Sequence, residues 1–112
     1  MNVYEEAHNL ARAIKESNEF KEYDRLKTSV ESDEQLNQML QEFQSLQLRF
    51  QTAQLSGESM DPELMNRIQQ MSAMLMTKPA AAEYLQAAMR FTVMMNDVMQ
   101  ILAEAAKLNI PL

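Results

Sequence analysis

The chain of 112 residues contains no cysteine. Disulfides, thiolate nucleophiles and cysteine-ligated zinc or iron–sulfur centres are thereby excluded within it. It has one glycine, Gly57, and three prolines. So few turn-formers argue against an all-β fold, which needs a sharp turn every few residues. A phosphate-cradling loop needs several glycines and is excluded on the same count. There is a single histidine, His8, and no serine framed by glycines, so neither a histidine relay nor a nucleophile elbow can be built. Basic residues are also scarce: ten against sixteen acids, a net charge of −6. A phosphate backbone is repelled by that balance, so no direct nucleic-acid partner is expected. No run of about 18 apolar residues is present, and no basic leader with an apolar core, so neither a membrane span nor a signal peptide is expected. Cytoplasmic residence is the default expectation.

What is present is helical periodicity. From Leu36 the apolar residues Leu36, Met39, Phe43, Leu46, Phe50 and Ala53 recur at steps of three, four, three, four and three. That is one face of a helix packed lengthwise on other helices; the alternation a strand needs is missing. A helix over about 33–56 organises the rest; about 22 residues of it span roughly 33 Å at 1.5 Å per residue. The spacing predicts four further helices, over about 3–16, 19–30, 62–76 and 79–108. Asn2 is placed to cap the first, whose stripe is Val3, Ala7, Leu10 and Ile14. Ser17-Asn18 offers the next cap, and Phe20, Tyr23, Leu26 and Val30 line the second helix opposite a charged, solvated face. Ser32-Asp33-Glu34-Gln35 reads as a capping box, Ser32 bonding forward and Gln35 reaching back.

Gly57 to Met60 is read as a turn, and Asp61-Pro62-Glu63 as a helix restart: an acid cap, then proline where its missing N–H costs nothing. A turn this short folds the third and fourth helices back on each other. The fourth carries the stripe Leu64, Ile68, Met71 and Leu75. Pro79 breaks or kinks the path into the fifth. That helix bears two stripes, Tyr84, Ala88, Met95, Met99 and Leu102, and Ala87, Phe91, Met94, Val98, Ile101, Ala105 and Leu108. A helix apolar over more than half its girth has neighbours on more than one side. The fold expected is all-α, one elongated helical bundle built on a long antiparallel hairpin.

Eleven methionines occur, nine of them from Met60 to Met99. Methionine fills irregular gaps in a core, and it also adapts to varied partners. Residues 1–34 hold nine acids and five bases, whereas the remaining 78 hold seven and five and are rich in glutamine and methionine. Neutral polar faces are less costly to desolvate than charged ones. The candidate protein-interaction residues are therefore Met65, Met74, Met76, Met89, Phe91, Met94, Val98 and Ile101. The partners expected are proteins, the chain itself among them as a homodimer or higher assembly, with no small-molecule substrate and no cofactor. Two other readings stand beside this one: a chaperone-like binder of apolar segments, and a metal site assembled across a dimer. The second rests on Glu5 and His8, three apart on one helix, the Glu-x-x-His spacing of di-iron bundles. Glu5 and Glu6 equally suit the positive end of a helix.

The segments Val3-Tyr4-Glu5-Glu6-Ala7-His8-Asn9-Leu10-Ala11 and Ser17-Asn18-Glu19-Phe20 resemble the start of the YheA/YlbF/YmcA family of small bacterial helical proteins. Phe43-Gln44-Ser45-Leu46-Gln47-Leu48-Arg49-Phe50-Gln51, with Gln54, Gly57 and Glu58, is most similar to its YheA branch. The resemblance implies an all-α, self-associating protein with no enzyme activity and no catalytic residue to carry over. YlbF and YmcA act with YaaT as regulators of ribonuclease Y-dependent RNA processing, and so of competence, sporulation and biofilm formation. Their complex is associated with iron–sulfur clusters, and a chain without cysteine departs from that pattern.

Overall fold

The computed structural model describes residues 2–59 and 61–108; Met60, assigned above to the turn, lies outside the described residues. Among these residues the fold is all-α, with five helices: α1 (Val3–Glu16), α2 (Asn18–Glu31), α3 (Glu34–Ser56), α4 (Pro62–Met76) and α5 (Pro79–Ala106). The chain divides into two compact units, Met1–Lys27 with Tyr84–Leu112, and Thr28–Glu83.

The second unit is built on α3 and α4, which pack against each other. The 23 residues of α3 bury Leu36, Leu40, Phe43 and Leu46, while Met39, Phe50 and Ala53 are half-buried. On α4, Leu75 is completely buried and Leu64, Ile68 and Met71 are half-buried. Glu42 and Arg67 pair across the two helices, and Arg49 shares a shallow groove with Asp61 and Glu63. As the position on α3 rises, that on α4 falls, which is the signature of an antiparallel hairpin. Gly57 makes the end of α3 possible. It adopts φ 74°, a left-handed conformation open to glycine without steric penalty. The Glu58 N–H then donates to the Ala53 carbonyl at 3.1 Å and the Gly57 N–H to Gln54 at 3.3 Å.

Asn2 Oδ1 accepts from the Tyr4 and Glu5 N–H groups, and Asp61 caps α4 by accepting from the Glu63 N–H at 3.0 Å. Ser17 does two jobs at the α1–α2 junction: its hydroxyl donates to the Ile14 carbonyl and accepts from the Phe20 N–H. The start of α3 corrects the sequence reading. Asp33, not Ser32, is the cap, its carboxylate accepting from the Leu36 N–H at 3.1 Å. The Ser32 hydroxyl instead donates backward to the Ser29 carbonyl at 2.6 Å. Helices α4 and α5 are separate, with Thr77 closing α4 through its hydroxyl on the Met74 carbonyl and Pro79 opening α5. The fifth helix ends at Ala106 because Lys107 turns into φ 57°. There the Leu108 N–H donates to the Ala103 carbonyl at 2.9 Å, the closure Gly57 gives α3 but with a lysine at the left-handed position.

In the first unit, α1 buries no residue fully: Leu10 and Ile14 are half-buried, whereas Val3 and Ala7 of the same stripe are exposed. An aromatic cluster joins α2 to α5 instead. Tyr23 stacks on Phe91 at 5.0 Å and on Tyr84 at 5.8 Å between ring centroids, and Phe20 meets Phe91 edge-on at 5.7 Å. Such pairs add about 0.5–1.5 kcal/mol each beyond the area they bury.

Replacing the cap by Asp33→Ala is expected to cost about 1 kcal/mol in urea denaturation, against less than about 0.5 kcal/mol for Ser32→Ala. Equal losses would mean that both residues share the cap. Lys107→Gly is expected to stabilise the chain by about 0.5–1 kcal/mol, because glycine carries no left-handed penalty. A lower melting temperature for that variant would contradict the assigned helix end.

Candidate interaction groove on α2 and α5

A groove opens in the first unit between the start of α2 and the middle of α5. Ala87, Met89, Val93 and Met94 give it an apolar floor, and Glu19, Lys21, Glu22, Arg90 and Asp97 give it a rim of mixed charge. Local folding explains the placement. Tyr84 and Phe91 turn one side of α5 into the aromatic cluster, which leaves Met89 and Val93 on another side beside the polar residues Arg90 and Asp97. Met89 is 69 % exposed and Val93 54 % exposed. On the α2 wall, Glu22 is held by a two-pronged bond from Arg25, whose nitrogens lie 2.6 and 3.3 Å from its oxygens. The Lys27 ammonium sits 5.8 Å from the centroid of the Tyr23 ring.

The hydrogen bond from Arg25 is the main reason that the Glu22 carboxyl titrates below its ordinary value; the charges of Arg25 and Arg90 add to it, and desolvation opposes. The Glu22 side chain is 44 % exposed, so solvent screens the pair and the effect concerns the rim's charge state rather than the strength of the fold. The arrangement offers charge of both signs around an oily floor. It places no histidine, and no serine beside a base, in the groove.

Of the eight candidate interaction residues, Met89 and Met94 are brought together on this floor. Phe91 lies beside it, half-buried in the aromatic cluster. Val98 is half-buried one turn further on, and Ile101 is 64 % exposed. Met65, Met74 and Met76 belong to the second unit, Met65 half-buried and the other two exposed. Val93 and the α2 wall escaped the sequence reading. The wall looked like an ordinary solvated face, and only the α2–α5 pairing turns it into one side of a groove. Glu5 and His8 are exposed on α1, and no group of three His, Asp or Glu side chains able to hold a metal comes together among the described residues.

Residues 3–106 match the family described as control of competence regulator ComK, YlbF/YmcA. The chain belongs to the YlbF/YmcA family. Within it, a UPF0342 protein of Caldicellulosiruptor saccharolyticus is 36 % identical over 108 residues, covering 96 % of this chain and 90 % of that one. A UPF0342 protein of Desulfitobacterium hafniense is 36 % identical over 105 residues, covering 94 % and 85 %. Among solved structures, a DUF964 protein of unknown function from Bacillus stearothermophilus superimposes with a TM-score of 0.77 at 22 % identity, covering 94 % of this chain and 92 % of that one. YheA from Bacillus subtilis superimposes with a TM-score of 0.67 at 20 % identity, covering 96 % and 97 %. At those identities the structures speak for the fold alone. The YlbF/YmcA membership inferred from the opening and central segments of the sequence therefore stands. No described helix of this YlbF/YmcA-family chain is long and apolar enough to cross a membrane.

The folded Glu22 value lies below the unfolded one. Its contribution is therefore complete above the ordinary glutamate range and is lost as pH falls through the depressed value. A carbon-detected NMR titration is expected to place the Glu22 midpoint below that of an exposed glutamate, and Arg25→Met to raise it. A midpoint unmoved by Arg25→Met would show that the bond is not made in solution.

Proposed function

We propose that this protein is a non-enzymatic helical interaction module, a cytoplasmic regulatory adaptor that acts through self-association and through binding of other proteins. The α2–α5 groove carries the reading. Its floor of Ala87, Met89, Val93 and Met94 is oily and adaptable, and its rim alternates acids with Lys21 and Arg90. That chemistry suits an amphipathic helix whose apolar stripe is flanked by charges of both signs, the helix-in-groove mode of recognition. Methionine on the floor lets it re-pack around more than one sequence. The family's link to control of the competence regulator ComK supports a regulatory rather than a metabolic role. The absence of cysteine speaks against a cluster-dependent role for this member.

A second reading has one observation in its favour. Met74, Met76 and Met89 are all more than half exposed, as a holder of unfolded apolar segments would need. The two readings part on selectivity, since a holder captures many unrelated unfolded chains and an adaptor captures few folded ones.

The test is a photo-crosslinking side chain placed at Val93 in the native cell, together with light scattering across concentration. The expected result is an adduct mapping to an amphipathic helical segment of a small number of proteins, and a mass above that of one chain as concentration rises. A protein that stays monomeric at every concentration and gives no Val93 adduct would overturn the proposal.

A further inference from the structure

Helix α3 carries a second seam beside its buried one. Asn37, Gln41, Gln44, Leu48, Gln51 and Leu55 follow at steps of four, three, four, three and four, the spacing of coiled-coil a and d positions. From Gln41 onward every one of them is exposed, Leu48 by 64 % and Leu55 by 90 %. None is charged. The charged residues of α3 are Glu34, Glu42 and Arg49. Glu34 lies in the first turn, while Glu42 and Arg49 are engaged on the α4 side, with Arg67 and beside Asp61 and Glu63. We infer that this seam is where two copies of the chain meet, α3 antiparallel to α3 about a two-fold axis at Gln51. The inference rests on the self-association proposed above and names its surface.

Charge decides the occupant. In a two-fold contact each residue near the axis meets its own copy, so a charged residue there repels itself. Two other exposed apolar groups are interleaved with charge, Met89 and Val93 with Arg90 and Asp97, and Val3 and Tyr4 with Glu5 and Glu6; Met74 and Met76, at the end of α4, are uncharged too but span only one helical turn. In a chain of net charge −6, the α3 seam is a long apolar-polar stripe that brings no like charges together. The regular spacing of Leu48, Gln51 and Leu55 calls for another helix along the last three turns of α3, and the same segment of a second α3 is one.

Charge also decides the direction. Glu58, Asp61 and Glu63 cluster where α3 ends and α4 begins. Parallel pairing would set two such clusters side by side together with two negative helix ends; antiparallel pairing separates them and aligns the helix dipoles favourably. Antiparallel, Leu48 of each copy lies opposite Leu55 of the other. The Gln51 amides meet on the axis, where one can donate and the other accept. Glutamines along the seam fix the register at a cost in strength, as polar a-position residues do.

The lack of native cysteine makes the test clean. Under mild oxidation Gln51→Cys is expected to form a disulfide-linked dimer, as is an equimolar mixture of Leu48→Cys and Leu55→Cys. Leu48→Cys alone is expected to stay reduced, because its two copies stand about 10 Å apart along the axis. Self-crosslinking of Leu48→Cys as fast as Gln51→Cys would overturn the antiparallel arrangement. The double variant Leu48→Glu/Leu55→Glu is expected to keep its helical circular dichroism and to need at least about tenfold more protein to dimerise. A dimer that survives this variant overturns the α3 surface and leaves self-association standing. A monomeric parent chain overturns both.

Discussion

The interaction on which the second unit depends is the closure of α3 onto α4. Leu36, Leu40, Phe43 and Leu46 on one helix and Leu75 on the other lose nearly all contact with water. Burial of side chains of this size is worth about 1.5–3 kcal/mol each, against which the ordering of both helices must be set. The hairpin can form only because the chain reverses between Ser56 and Pro62, and it reverses at its one glycine. The Glu42–Arg67 pair is exposed and records the register more than it secures it. In the first unit aromatic rings take over the same task, Tyr23 bridging Tyr84 and Phe91, and α1 contributes only its second half.

A helix pair closed along one seam leaves the opposite sides of both helices facing water. Most chains fill those sides with charge. Here α2 does so, but α3 offers glutamine and leucine, and α5 offers methionine, valine and isoleucine. The consequence is a molecule with two unlike surfaces. The α2–α5 groove has charge of both signs at its rim, which gives a foreign helix something to read. The α3 stripe is neutral, which removes the one penalty that a copy of the same chain would meet. On the proposed reading, self-recognition and partner recognition use separate ground.

Much of this was legible in the sequence because helix packing writes itself as a repeat. The alternating steps from Leu36 to Ala53 marked the seam that is buried, and Asn2, Asp61 and Gly57 announced helix ends by chemistry that has few other uses. The YlbF/YmcA resemblance was carried by the same opening and central segments. Elsewhere neighbouring residues competed. Ser32 and Asp33 are both good caps one position apart, and only the backbone course past Val30 gives the place to Asp33. Lys107 carries no signal for a left-handed bend, so the apolar spacing runs on to Leu108, two residues past the end of the helix at Ala106. The stripe on α1 pointed inward on paper, yet Val3 and Ala7 are left in water, because periodicity tells which residues share a face and not whether anything covers it. The groove was invisible for a related reason: its α2 wall of Glu19, Lys21 and Glu22 has the composition of any solvated face.

Helix α3 has two seams, one closed within the chain and one that we propose is left for another copy. Solvent paramagnetic relaxation of assigned leucine methyls, followed as the protein is concentrated, measures both at once. At high dilution the methyls of Leu48 and Leu55 should relax strongly with the dissolved probe, while those of Leu36, Leu40, Leu46 and Leu75 do not. On concentration Leu48 and Leu55 should become protected and the other four should be unchanged. Leucines 48 and 55 that stay equally accessible at every concentration, or a Leu40 or Leu75 that the probe reaches in the dilute chain, would contradict it.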